Sequence, residues 1–122
     1  MKQFTVFFNR RKQWFEVYLY DVAPETFERY GGGRWGYFLE KYENPRRGLF
    51  GEIHLIDSQK RPLRSDTVVH ELFHLVAEWM RAKNVIITRR NEEPLAARLD
   101  ELTRNFWKEC QYPPDVYHPE SP

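Results

Sequence analysis

The residues with the clearest chemical potential form the segment His70-Glu71-Leu72-Phe73-His74. Histidines four positions apart on a helix project from one face about one turn apart, so their imidazole nitrogens can bind a single tetrahedral zinc ion. The Glu71 side chain points about 100° around the helix axis from that of His70. Its carboxylate can therefore reach a water at the open position of the ion more easily than it can bind the ion itself. We predict that His70 and His74 bind Zn²⁺ and that Glu71 acts as the general base.

A catalytic zinc site needs a third protein ligand, and the segment that begins at Asn91 offers two acids. Glu92 extends an apolar stripe made of Leu95, Leu99, Leu102 and Phe106. Glu93 lies over Ala96 and Ala97, whose small side chains would allow close approach to the histidine helix. We predict that one of the two acids binds the ion, with Glu93 preferred, and that the other interacts with the helix dipole.

Other residues are candidates for supporting roles by type. Asp100 could accept the second nitrogen of a metal-bound histidine, although solvation at the surface explains it equally well. Four further residues could donate to an oxyanion, and each has a structural role as its alternative: His54, Tyr112, Tyr117 and His118. His118 could instead close a purely structural zinc site as a fourth ligand.

The histidine helix carries apolar residues on nearly every side, which predicts that it is buried. The polar residues His70, Glu71 and His74 are flanked by apolar ones: Val68, Val69, Leu75 and Val76. Buried imidazoles and a buried carboxylate are unfavourable unless something pairs with them, and a metal ion would do so. The competing interpretation is that both histidines are ordinary core or surface residues.

The pattern of the surrounding chain predicts the elements that position this segment. Runs of aromatic and β-branched residues indicate strands at 4–8, 14–20, 35–42 and 49–56, the first two joined by a hairpin connection at 9–12. Pro24 suits the start of a short helix that ends at Tyr30. Longer helices are predicted from a cap at Ser65 or Asp66 to about Ala82, and from a cap at Asn91 to about Glu109.

Length and composition fit one domain. The chain has 122 residues, of which 41% are hydrophobic, and we assign residues 1–122 to a single domain with a proline-rich tail at 111–122. Its 19 basic and 18 acidic residues give no electrostatic reason to expect nucleic acid or a membrane surface as partner. One cysteine excludes an internal disulfide, and the N-terminus lacks the apolar core of a secretion signal, so a cytoplasmic location is expected.

The histidine segment, taken together with Asn91-Glu92-Glu93-Pro94-Leu95-Ala96, resembles the zincin metallopeptidases of the gluzincin type, in small phage-like form. The resemblance covers about residues 48–107. It implies ligand roles for His70 and His74, a catalytic role for Glu71, and a ligand role for Glu92 or Glu93. In zincins an edge strand can pair with an extended substrate, and the resemblance implies this role for the strand near Leu49 to Ile56. A third-histidine motif of the metzincin branch is absent.

Together these expectations describe an α+β, zincin-like fold. It has a mainly antiparallel sheet of about four strands, with the metal helix and the second helix packed on one face. The expected function is hydrolysis of a polypeptide substrate. The alternative is a non-catalytic zinc-binding module, of phage or mobile-element type, that binds a host protein.

Overall fold

The computed structural model describes residues 2–30, 36–40, 48–86 and 88–110. Seven elements follow one another in this part of the chain: β1 (Lys2–Phe8), β2 (Gln13–Tyr20), α1 (Thr26–Tyr30), β3 (Gly36–Glu40), β4 (Leu49–Ile56), α2 (Ser65–Ala82) and α3 (Glu92–Cys110). Their order and types confirm the predicted α+β class. The tail at 111–122 and the outer residues of the predicted third strand lie outside the described residues.

A tight connection turns β1 into β2. Asn9, Arg10 and Arg11 all have positive φ angles, of 53°, 57° and 64°, and the Lys12 amide donates to the Asn9 carbonyl at 3.1 Å. The two strands pair antiparallel from Phe8 against Gln13 outward. The predicted hairpin is therefore confirmed.

The sheet has the order β1-β2-β4-β3. Both outer pairs are antiparallel, while β2 and β4 run parallel, so the sheet is mixed and two of its three strand pairings are antiparallel. The prediction that β4 is an edge strand is wrong, because β2 pairs along one side of it and β3 along the other. The physical reason is burial on both faces: Ile53 and Leu55 are buried on one, and His54 and Ile56 on the other.

Both long helices pack on the same face of the sheet, as predicted. The main core joins Phe15 and Val17 of β2 and Ile53 of β4 to apolar side chains of α2 and α3. In α3 these are the predicted stripe residues, with Leu102 and Phe106 fully buried and Leu95 and Leu99 partly buried against the core. Helix α1 lies on the opposite face, where Phe27 packs with Tyr37 and Ile56. No helix within the described ranges is both long and apolar enough to cross a bilayer.

Helix α2 begins one or two residues earlier than the two predicted caps imply. Its N-cap is Arg64, and Ser65 is already helical and buried. The Asp66 carboxylate binds the Arg64 guanidinium at 2.8 and 3.0 Å, and this ion pair lowers the pKa of Asp66. The predicted caps Ser65 and Asp66 therefore both lie inside the first turn.

Leu72 should be among the main stabilising residues of the fold, because its side chain is fully buried between α2 and the sheet. We expect Leu72→Ala to lower the free energy of unfolding by about 2 to 5 kcal/mol, since it removes apolar contact and leaves a cavity. Phe73→Ala is the matched control, because the adjacent Phe73 is 45% exposed. Denaturant unfolding of both variants measures the difference, and equal losses would contradict this packing.

Candidate metal centre

The two histidines of α2 converge at their outer nitrogens. The Nε2 atoms of His70 and His74 are 3.3 Å apart, and the ring centroids are 4.8 Å apart. Two nitrogens held at about 2.0 to 2.1 Å from one zinc ion, at the tetrahedral angle, lie about 3.3 to 3.4 Å from each other. The spacing therefore matches that of two ligands on one zinc ion. It also suits a hydrogen bond between a protonated and an unprotonated imidazole nitrogen.

The histidine pair faces away from the core. The His70 side chain is 54% exposed, and His74 is also exposed. Leu72, Leu75 and Val76 are buried and face the sheet. His70 and His74 are each two positions from Leu72, so their side chains point to the opposite side of the helix. The prediction that α2 is buried all round is wrong, because α2 is amphipathic. Desolvation of the imidazoles therefore gives no argument for a metal ion.

Glu71, in contrast, is buried beside the histidines. Its relative solvent exposure is 4%, and its Oε2 lies 4.0 Å from the His70 Nε2. A Cβ atom built on Gly36 would lie 3.5 Å from the Glu71 Cγ, so this carboxylate side chain lies against the first residue of β3. Glu71 is thus held between the edge of the sheet and the outward histidine pair.

The structure does not bring Glu92 or Glu93 to the histidines. Both are exposed in the first turn of α3, and no group of three or more possible metal-binding side chains forms among the described residues. The reason for preferring Glu93 is wrong, because Ala96 and Ala97 are exposed and do not mediate helix contact.

The length of α2 explains this separation. The helix continues for eight residues beyond His74, and α3 then returns antiparallel, with the Arg98 guanidinium 4.7 Å from the Trp79 ring. Glu93 precedes Arg98 by five residues, and His74 precedes Trp79 by five. At 1.5 Å per residue, the antiparallel arrangement separates Glu93 and His74 by about 15 Å along the helix axes.

The remaining predicted residues also lie apart from the pair, or outside the described residues. Asp100 is exposed on α3 and belongs to no group of three or more possible metal-binding side chains among the described residues. His54 lies on the sheet face opposite α2, because it alternates with Ile53 and Leu55, so an oxyanion role beside Glu71 is wrong for it. Tyr112, Tyr117 and His118 fall outside the described residues, and their roles stay predictions.

His54 instead belongs to an aromatic cluster that the sequence reasoning missed. Its ring stacks between Tyr18 and Tyr37, with centroids 4.6 Å away on each side. The hydroxyl of Tyr20 lies 2.7 Å from Nδ1, and the Glu52 Oε1 lies 2.9 Å from Nε2. The signal available in the sequence was period-two alternation. It places Tyr18 and Tyr20 on one face of β2, and His54 on a face of β4 that is opposite to Ile53 and Leu55.

Burial acts on the ionisation of Tyr20 in this cluster. It raises the pKa of Tyr20 to about 12, with smaller contributions from Tyr37, Tyr18 and Glu52. Tyr20 therefore keeps its proton to well above neutral pH, with its hydroxyl within hydrogen-bond distance of the His54 Nδ1. Because an ionised carboxylate only accepts hydrogen bonds, the His54 Nε2–H donates to Glu52.

Comparisons of this chain with protein-family models, with curated proteins and with solved structures find no match. Its function must therefore be inferred from the geometry of the described residues.

The raised pKa of Tyr20 predicts a loss of stability in alkali. Between the ordinary tyrosine pKa of 10.0 and about 12, the unfolded chain has lost this proton while the native protein keeps it. Stability conferred by the protonated hydroxyl is therefore complete below pH 10.0 and is lost as the pH rises toward about 12. Denaturant unfolding across this range measures the loss. Tyr20→Phe should reduce the slope, and an unchanged slope would contradict the assignment.

Zinc should stabilise the protein through the histidine pair. A free zinc concentration of about 100 times the dissociation constant raises the free energy of unfolding by about 2.7 kcal/mol. We expect this increase, measured as a shift in Tm, to disappear in His70→Ala and in His74→Ala. Phe73→Ala, which alters the same exposed face without removing an imidazole, should retain it. Equal zinc stabilisation of all the variants would place the metal elsewhere.

Proposed function

We propose that this chain is a zinc-dependent peptidase in which His70 and His74 hold the ion and Glu71 acts as the general base. The observation that carries the proposal is the 3.3 Å spacing of the two Nε2 atoms, with the Glu71 carboxylate beside them. The proposal also agrees with the resemblance of the histidine segment to gluzincin-type zincins.

Glu71 performs the proton transfers in this proposal. Zinc, when bound, lowers the pKa of a coordinated water toward neutrality. The Glu71 Oε2 lies 4.0 Å from the His70 Nε2, close enough to accept a proton from a molecule held at the histidines. The same carboxylate then delivers the proton to the leaving amine. Its burial against β3 restricts its motion and keeps it oriented.

The substrate in this proposal is an extended polypeptide that lies along β3. In the described part of the sheet, β3 is the outer strand next to β4, and its first residue, Gly36, lies beside the Glu71 side chain. A peptide added to this edge by main-chain hydrogen bonds would pass close to the general base. β3 therefore takes the substrate role that the resemblance had implied for β4.

Substitution can identify the third ligand. Glu92 and Glu93 are the acids implied by the resemblance, although the helix axes place Glu93 about 15 Å from His74, and His118 is the further candidate from the tail. Zinc affinity measured for Glu92→Gln, Glu93→Gln and His118→Ala separates the three, because loss of a ligand weakens binding far more than loss of a distant residue.

A second candidate function is a non-catalytic zinc-binding module that binds a host protein. The outward position of the histidines favours it, together with the exposure of two apolar residues on the same helix, Val69 at 37% and Phe73 at 45%. Exposed apolar residues next to metal-binding side chains are typical of a contact surface. In this case the partner would cover the histidines and no peptide bond would be cut.

Glu71→Gln separates the two functions. The variant should keep its zinc affinity, since both histidines remain, and should lose about 10²- to 10⁴-fold in peptide hydrolysis because the base is gone. Glu78→Gln, two turns along the same helix, is the matched control and should hydrolyse normally. Zinc content by metal analysis and cleavage of an unfolded protein substrate provide the measurements.

Unchanged hydrolysis in Glu71→Gln would exclude Glu71 as the base. Stoichiometric capture of a partner by zinc-loaded wild-type protein, without cleavage and with equal strength in Glu71→Gln, would favour the binding module.

A further inference from the structure

One end of the molecule collects basic side chains, although the whole chain has 19 basic and 18 acidic residues. The connection between β1 and β2 and the connection between α2 and α3 each supply three of them, and all six are exposed. We call these six residues the basic end: Arg10, Arg11, Lys12, Lys83, Arg89 and Arg90. The balanced composition of the chain therefore conceals a local excess of positive charge.

Contacts of the hairpin with both long helices bring the two connections to the same end. The Trp79 Nε1 donates to the Gln13 Oε1 at 3.2 Å, and the Asn9 amide donates to the Glu101 Oε2 at 3.1 Å. Trp79 lies in the last turn of α2, and α3 begins nine residues before Glu101. The Lys83 Nζ is 4.1 Å from the centroid of the Trp79 ring. The α2–α3 connection therefore lies on the side of the molecule where the hairpin turns.

None of the six cations forms an ion pair with a described residue, whereas two acids beside these connections are already paired with other arginines. Those pairs are Glu78 with Arg81 and Glu101 with Arg98. Glu92 and Glu93 are the exposed acids in the first turn of α3, and Asp100 is about 12 Å further along that helix. Six cations against two nearby acids leave the basic end positively charged.

Two aliphatic side chains project among these cations. Val85 is 37% exposed and Ile86 is 79% exposed. The side chain of Asn91 closes this connection, because its Nδ2 donates to the Ile86 carbonyl and its Oδ1 accepts from the Thr88 amide. The backbone that carries Ile86 is thus braced by hydrogen bonds, and it holds the side chain outward.

Exposed aliphatic groups surrounded by cations match the chemistry of an anionic bilayer. Apolar side chains insert at the boundary of headgroups and acyl chains, and Lys and Arg are attracted by the lipid phosphates and carboxylates. A nucleic acid would attract the same cations, but single strands also use aromatic rings on which bases stack, and Val85 and Ile86 offer none. We propose that the basic end binds the surface of an anionic lipid bilayer, with Ile86 inserted among the lipids.

Cosedimentation with vesicles of phosphatidylcholine and phosphatidylserine, mixed at about three to one, tests the proposal. The protein should bind these vesicles, should bind less as salt is raised, and should not bind vesicles of phosphatidylcholine alone. Ile86→Ser should weaken binding by about tenfold or more, because the apolar insertion is lost, and Ile86→Phe should retain it. Replacing both Arg89 and Arg90 with Gln should weaken binding about 30-fold.

Matched controls change the same residue types away from the basic end. Val22 is 81% exposed and follows the opposite end of β2, so Val22→Ser should bind like wild type. Gln at both Arg104 and Lys108, two exposed cations later in α3, should weaken binding far less than Gln at Arg89 and Arg90. All these side chains are exposed or partly exposed at loops and helix surfaces, so each variant should keep the wild-type Tm.

Equal binding to neutral and anionic vesicles would overturn the proposal. So would unchanged binding of anionic vesicles by Ile86→Ser, or tighter binding of single-stranded RNA than of the vesicles. The assay is done with a chelator and without zinc, so its outcome is independent of the peptidase proposal.

Discussion

Packing of α2 on the sheet determines where the chemical groups of the candidate metal centre point. Leu72, Leu75 and Val76 are fully buried in the core that contains Ile53 and Leu55. This contact fixes the rotation of α2 about its own axis, and at 100° per residue every other side chain of the helix is then placed. His70 and His74 turn outward, and Glu71 turns toward β3.

Strand β4 separates two surfaces of different chemistry. Ile53 and Leu55 face the helices, whereas Glu52 and His54 face the other way, because successive side chains of a strand alternate. Burial on both sides makes β4 an inner strand and leaves the outer position to β3. The candidate metal centre and the aromatic cluster of His54 are therefore on opposite sides of one sheet and have no side chain in common.

The histidines and Glu71 of the candidate metal centre differ in their energetics. The histidines are exposed, so they fold without a desolvation penalty and need no ion in order to be stable there. Glu71 is 4% exposed, and a buried carboxylate is unfavourable unless its surroundings stabilise it. The peptidase proposal depends on this placement of a buried carboxylate next to two convergent imidazoles.

The sequence alone determined the secondary structure and the local geometry of the histidine pair. Alternation and caps located the strands and both long helices, and a spacing of four on a helix brings two imidazoles together whatever surrounds them. Four matters were decided only by tertiary structure: the parallel pairing of β2 with β4, the inner position of β4, the outward rotation of the histidines, and the distance of Glu93. Each depends on how separate elements meet, and an apolar pattern that covers nearly all sides of α2 does not say which side meets the sheet. The aromatic row of Tyr18, His54 and Tyr37 is likewise a product of strand order, because its members lie far apart in the chain and become neighbours only through register.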